Sequence, residues 1–282
     1  MKAAPRGGPD YAGRIRRAEY LATQYPFAAE VLTFYREIAE FQKNLYGEIL
    51  RSSSAFHPAA SAQTWSAPNF AALLPLFSEM LAMLQSRGPS PVREAARQLS
   101  EQSKDGWKAQ LGEFWTARQR AQPPESEGSG TNGALTAFIL RAFVQPCAEL
   151  IGAQFPEPPL TANDRMCPRC GAAPLLALLR PEGDGGKRRL LCSFCMREWD
   201  SRRIFCAACG EEDEKKLPVY VAEQFPHIRV EACETCRFYV RSIDLTKNGN
   251  AVPIVDDLAA IPLTLWAHEH GYRRIHENLL GT

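Results

Sequence analysis

Apolar residues recur every three to four positions through the first half of this 282-residue chain. Ile15, Ala18, Leu21 and Ala22 form one stripe, and Val31, Phe34, Ile38, Phe41, Leu45 and Ile49 form a second after Pro26. Both stripes predict amphipathic helices. Asn69 is placed to cap a third, with Phe70, Leu73, Leu74, Phe77, Leu81 and Leu84 on one face and Gly88 at its end. Pro75 either kinks that helix or sits near its first turn. A fourth helix is expected from Ser90-Pro91, since proline suits a first helical position, and runs toward Trp115. Residues 122–133, rich in Pro, Gly, Ser and Glu, read as a linker. A last stripe follows on Leu135, Phe138, Ile139, Ala142, Phe143, Cys147, Leu150 and Ile151.

The pattern changes at Pro156–Pro159, beyond which lie short β-branched runs, turn residues and eight of the nine cysteines. The expected fold class is α+β: a helical domain over 1–156, a first ribbon over 157–204, and a second ribbon with a C-terminal helical tail over 205–282.

The cysteines form four C-x-x-C pairs: Cys167 with Cys170, Cys192 with Cys195, Cys206 with Cys209, and Cys233 with Cys236. Chance placement would give on the order of 0.3 such pairs. Two intervening residues let the chain turn so that both sulfurs face one metal. Gly171 and Gly210 directly follow two of the pairs and supply the positive φ that such a turn often needs. Two pairs complete a tetrahedral shell. Between Cys170 and Cys192, Leu175–Arg180 and Lys187–Leu191 flank the glycine-rich stretch 182–186, which predicts a hairpin. Between Cys209 and Cys233, Leu217–Ala222 and His227–Glu231 flank a turn at Pro226. Each unit therefore reads as knuckle, hairpin, knuckle, a ribbon of rubredoxin type holding one metal ion. Residues 196–205 read as a connector. An interleaved cross-brace of the four pairs is the competing arrangement, and four thiolates accept zinc or iron. Arg169, Arg188, Arg189 and Arg197 near one site, and Arg229 and Arg237 near the other, are candidates to offset thiolate charge. The helical half is expected to keep a core of its own, so that losing a ligand unfolds only its ribbon.

Charge excludes one function class. A net charge of +1 does not suit a generic nucleic-acid binder, and the basic runs at 187–189 and 202–203 have the acids Glu211–Glu214 close by. No apolar run follows Lys2 and Arg6, so no secretory signal is read. Arg16-Arg17 precedes Ala18-Glu19-Tyr20, not the apolar stretch of an export signal. The longest apolar stretch is read as Phe70–Phe77, short of a membrane span. A cytoplasmic protein without membrane insertion is expected, in which metal sites are favoured over disulfides. Several tempting residues carry bland readings. Cys147 belongs to a helix stripe, His268, His270 and His276 read as surface, Asp256-Asp257 as a helix cap, and His227 as a strand residue beside ligand sets that are already complete.

The run Leu191–Trp199, continued by Arg203–Gly210, resembles the formate dehydrogenase accessory proteins of the FdhE family. So do Glu231–Tyr239 and the tail with Val255–Ala259, Glu269–Tyr272 and Asn278. The resemblance is specific from Cys167 onward. It implies a cytoplasmic maturation factor, not an enzyme, that contacts the catalytic subunit of a molybdenum or tungsten formate dehydrogenase before export. It also implies that the eight paired cysteines hold two metal ions, iron by preference, with zinc compatible. A rubredoxin-like electron carrier or a thiol- or sulfur-transfer protein is the alternative. Small ribbons bury little apolar surface, so Phe194, Trp199, Phe205, Tyr220, Phe225 and Tyr239 are not all expected inside their ribbons: some pack on the helical half and seal the two halves together, and any left exposed are anchors for a partner. Arginines interleave with them, and Trp199, Arg202, Arg203, Tyr239 and Arg241 are the expected partner contacts.

Overall fold

The computed structural model describes residues 8–51, 66–118, 131–154 and 165–281. Pro156–Pro159, and with it the expected boundary of the helical domain, lies outside them, as does most of the stretch read as a linker.

Among the described residues, six α-helices build the first half. Helix α1 (Tyr11–Gln24) starts at Asp10, whose carboxylate accepts the Gly13 N–H at 2.8 Å. Helix α2 (Ala29–Arg51) carries its predicted stripe inward. Helix α3 (Phe70–Arg87) begins at Asn69 and stops before Gly88, with Pro75 inside it. The single helix expected from Ser90 to Trp115 is two, α4 (Ser90–Ser100) and α5 (Lys104–Arg118). The break has a local cause. Ser103 Oγ accepts the Gly106 N–H at 3.1 Å and starts a new helix, while the Trp107 indole N–H bonds the Leu99 carbonyl. Helix α6 (Thr131–Gln154) begins inside the stretch read as a linker. It is also a longer apolar segment than Phe70–Phe77. By length and composition Gly133–Gln154 would span a membrane, but 72% of its most apolar window is buried inside the fold.

Among the described residues of the second half, one seven-stranded sheet joins the two expected ribbons. The two hairpins are as predicted. Strands β1 (Pro174–Glu182) and β2 (Gly185–Cys192) pair antiparallel, and β3 (Glu198–Asp200) in the connector adds to β2. Strands β4 (Val219–Val221) and β5 (Ile228–Ala232) form the second hairpin, extended by β6 (Phe238–Asp244). Parallel pairing of β1 with β6, from Leu176 opposite Arg241 to Leu179 opposite Asp244, fuses the hairpins edge to edge. The sheet order is β3-β2-β1-β6-β5-β4. The tail forms two short helices, α7 (Pro253–Ala259) and α8 (Ile261–Glu269), and then β7 (Arg273–Arg274), which pairs with the start of β6.

The expectation of a separate helical core does not hold. One buried cluster runs from Phe77, Trp115, Phe143 and Cys147 into Cys192, Phe194, Cys195 and Trp199. Phe194 meets Trp115 edge to face at 5.0 Å. Helix α6 also approaches the first ribbon so closely at Gly152 that a Cβ there would lie 3.1 Å from that of Cys195. Gly152 has no side chain because the knuckle occupies its place.

Candidate metal centres

Each C-x-x-C pair folds into the same tight loop. The N–H of the first cysteine donates to the carbonyl five residues on: Cys167 to Ala172, Cys192 to Arg197, Cys206 to Glu211 and Cys233 to Phe238, at 2.8–3.0 Å. In three of the loops the residue four positions on donates back to the first cysteine's carbonyl, from Gly171, Gly210 and Arg237. That fourth residue is left-handed in all four loops: Gly171 at φ 76°, Met196 at 53°, Gly210 at 86° and Arg237 at 59°. Glycine adopts this conformation freely and a residue with a Cβ does not. Sequence reading recognised the two glycines and missed Met196 and Arg237.

The loops bring the sulfurs together in sequential pairs. Cys167, Cys170, Cys192 and Cys195 form one quartet, and Cys206, Cys209, Cys233 and Cys236 the other, each with all its sulfurs within 4.8 Å. The cross-brace arrangement is thereby set aside. In the first quartet Cys170 and Cys192 lie 3.4 Å apart sulfur to sulfur, and Cys195 lies 3.7 Å from both Cys167 and Cys170; in the second, Cys206–Cys236 and Cys209–Cys233 are each 3.7 Å apart. A tetrahedral ion with metal–sulfur bonds near 2.3 Å requires sulfurs about 3.8 Å apart, whereas a disulfide requires about 2.05 Å. The donor sets therefore fit a four-thiolate metal site and not two disulfides.

Electrostatics agree. Burial pushes the Cys192 and Cys195 thiols up, while hydrogen bonds from Cys170, Cys192 and Cys195 hold Cys167 down. In the second quartet burial raises Cys206 to about 11 and raises Cys236 as well. Cys233 is lowered, because N–H and thiol donors outweigh its burial. Four sulfurs this close do not all ionise without a cation among them. Backbone groups add support, since the N–H groups of Phe194 and Cys195 point at Cys192 Sγ from 3.3 and 3.4 Å. Four of the six arginines expected to offset thiolate charge are instead paired with carboxylates. Arg188 bonds Glu231, Arg189 bonds Asp200, Arg229 bonds Asp244 and Arg237 bonds Glu234. Their charge is already matched by carboxylates.

The two centres differ in access. All four ligands of the first are buried, against the helical layer. In the second, Cys209 is exposed and Cys236 half-buried.

The expected partner contacts divide. Arg202 and Arg203 are exposed, and Arg202 bonds Glu212. Trp199 and Tyr239 are each 1% exposed and Arg241 is 0%. Tyr239 and Arg241 lie inside because β6 is an interior strand, and Trp199, on the edge strand β3, is covered by the helical core. Phe194, Phe205 and Phe225 are buried too, and Tyr220 is partly so, against Trp266 and Tyr272.

Arg241 instead belongs to a buried ionic network that the sequence did not announce. Asp257 receives Arg241 at 2.6 Å, Arg274 at 2.7 and 2.8 Å, and the Asn278 amide at 2.8 Å. Asp256 receives Arg17 from α1, His227 from the second hairpin and the Val252 N–H. The aspartates read as a helix cap are thus a junction of three parts of the chain. A second buried pair joins Arg14 to Glu149 at 2.9 Å. His276 is buried and lies 3.2 Å from Arg118, so it is no surface residue. His268 and His270 are exposed. Cys147 is buried with its thiol pushed up by desolvation, consistent with a core role.

Comparison with known proteins places this architecture. Residues 166–203 match the family model described as "FdhE, central domain", and residues 204–280 match "FdhE, C-terminal domain". A relative from Aquifex aeolicus, "Protein FdhE homolog", is 24% identical over 95% of this chain and 94% of its own length. One from Proteus mirabilis with the same description is 29% identical over 96% of this chain and 87% of its own. One from Stutzerimonas stutzeri is 36% identical over 42% of this chain and 39% of its own. The crystal structure of the FdhE protein from Pseudomonas aeruginosa superposes with a TM-score of 0.70 at 24% identity, covering 96% of this chain and 95% of that one. Both family models fall on the segments that carry the two cysteine quartets, and full-length relatives extend the likeness through the helical layer, so the chain is similar to FdhE proteins over nearly its whole length.

Proposed function

We propose that this chain is a cytoplasmic accessory factor that binds the catalytic subunit of a formate dehydrogenase and assists its maturation, without itself turning over formate. The supporting observation is the match to both FdhE family models together with two closed four-cysteine sets. With four protein thiolates each, the sets leave no open position for a substrate, as structural sites do and hydrolytic sites do not. The eight cysteines hold two ions in this reading, iron by preference and zinc compatible. Arg202 and Arg203 remain candidate partner contacts because they are on the surface.

The test is affinity capture from the native cell with the full-length chain as bait. A formate dehydrogenase catalytic subunit should be recovered and should be absent from a mock capture. Recovery of other proteins with that subunit consistently missing would overturn the reading.

One observation favours a second reading. Cys209 is exposed at the second centre, which is where a rubredoxin-like electron carrier would exchange electrons. That reading requires iron with a reversible potential, and a zinc-filled chain in active cells would eliminate it.

A further inference from the structure

We propose that the second metal centre and the C-terminal tail form one coupled unit: the knuckle Cys233–Arg237 holds the tail, and docking of the tail holds the metal. This goes beyond the accessory role and is independent of which protein is the partner.

Arg237 follows the last ligand directly and is left-handed at φ 59°. At the equivalent positions after Cys170 and Cys209 the chain uses Gly171 and Gly210. Here a long side chain is kept despite the disfavoured backbone, and its contacts all reach forward into the tail or back into the knuckle. The Arg237 guanidinium lies 4.1 Å over the Tyr272 ring, donates to the His270 carbonyl at 2.6 Å and bonds the Glu234 carboxylate. The same Glu234 accepts the Tyr272 hydroxyl. The Arg273 N–H donates to the Arg237 carbonyl at 2.8 Å, which opens the β7–β6 pairing. Gly271 makes the turn that brings the tail onto the knuckle, at a left-handed φ of 76° that glycine adopts freely. The segment 270–273 thus rests on a four-residue loop, Cys233 to Cys236, both ends of which are metal ligands.

The docked tail then carries the arrangement onward. Arg274 reaches the buried Asp257, and the carbonyls of Glu277 and Asn278 accept Arg141 of α6. A path of direct contacts runs from the solvent-accessible centre to the helical layer. The more exposed ligands make this second centre the one that gains or loses metal under mild conditions. The buried first centre is shielded by the helices and gives an internal reference.

Coupling of this kind is reciprocal: if metal favours the docked tail by some factor, the docked tail favours metal by the same factor. Two measurements on the full chain loaded with zinc therefore test it. In the first, Tyr272→Ala, which alters no ligand, should speed zinc transfer from the second centre to a chromogenic chelator by about ten-fold and leave the first centre's release unchanged. In the second, Cys209→Ser should raise hydrogen exchange at residues 270–275 by a comparable factor while α2 stays protected. Tyr272→Phe, which removes only the hydroxyl, covers the case in which the alanine variant does not fold. It should show a smaller effect of the same sign. Unchanged zinc release in a variant whose tail amides exchange faster would overturn the coupling. So would a tail equally protected with and without zinc at the second centre.

Discussion

Replacing a ligand of the first centre should unfold more than the first ribbon. In Cys192→Ser the quartet loses a ligand whose side chain is completely buried. Structural four-ligand sites contribute on the order of 10 kcal/mol to folding, about the whole stability of a typical domain. The opened knuckle would withdraw Phe194 from Trp115 and uncover Trp199, both part of the cluster that contains Phe77 and Phe143. Uncovering two such side chains costs about 5 kcal/mol at 2–3 kcal/mol each. At 2–4 °C per kcal/mol for a chain of this size, the helical signal should melt about 10–20 °C lower. Circular dichroism at a helix-sensitive wavelength reads this, with hydrogen exchange of α6 amides as a local probe. Cys209→Ser is the contrast, because this ligand is exposed and its loss should leave that transition nearly in place. The reasoning is refuted if Cys192→Ser opens the first ribbon while the helical transition stays within about 2 °C of the parent chain.

Further expectations follow from the buried ionic groups and the closed sites. Asp257→Asn leaves Arg241 and Arg274 without their carboxylate, and removing one partner of a buried ion pair costs about 3–5 kcal/mol. Urea denaturation should show that loss, and a change below about 1 kcal/mol would mean the network is not stabilising. Burial, with Arg141 and Arg118 nearby, holds His276 well below its ordinary value, so the unfolded chain binds a proton there that the folded chain does not. Stability should therefore fall as pH drops below about 6.5, and His276→Gln should flatten that part of the profile. For Asp256 burial opposes ionisation, but His227 and Arg17 outweigh it and lower the folded value. Its contribution is present above about pH 4 and is lost as pH falls through the folded value, a step that Asp256→Asn should remove. Purified chain given formate and a redox dye should show no reduction, and sustained formate-dependent reduction would contradict the accessory role.

What the sequence made legible was whatever depends on neighbours a few residues apart. Helical stripes, hairpins and C-x-x-C loops are short-range patterns, and the sequential pairing of ligands followed from the hairpins between them. Interactions between distant segments left no such trace. The parallel contact of β1 with β6 joins segments more than sixty residues apart, and neither strand's sequence names the other. The expectation of partner contacts at Trp199, Tyr239 and Arg241 rests on the premise that a small ribbon cannot cover its own aromatics. The premise holds for a ribbon standing alone. It fails once two ribbons share a sheet and the helical layer closes one face.

The ionic network shows why polar residues mislead in the same way. Arg17 stands beside Arg16, and Asp256 beside Asp257, in contexts typical of solvated surface. Their partners are 239 residues apart for Arg17 with Asp256, and 17 for Arg274 with Asp257. A charge can be buried only where its counter-charge arrives, so its burial is decided by topology and not by local pattern. The left-handed residues make the point at the scale of one loop. Gly171 and Gly210 announce the turn because glycine adopts it without cost. Met196 and Arg237 conceal it, since their backbone is held by the loop's hydrogen bonds and, for Arg237, by the tail it grips. A residue that departs from local preference in this way marks a place where distant structure supplies the compensating energy. In this chain that place lies between the second centre and the tail.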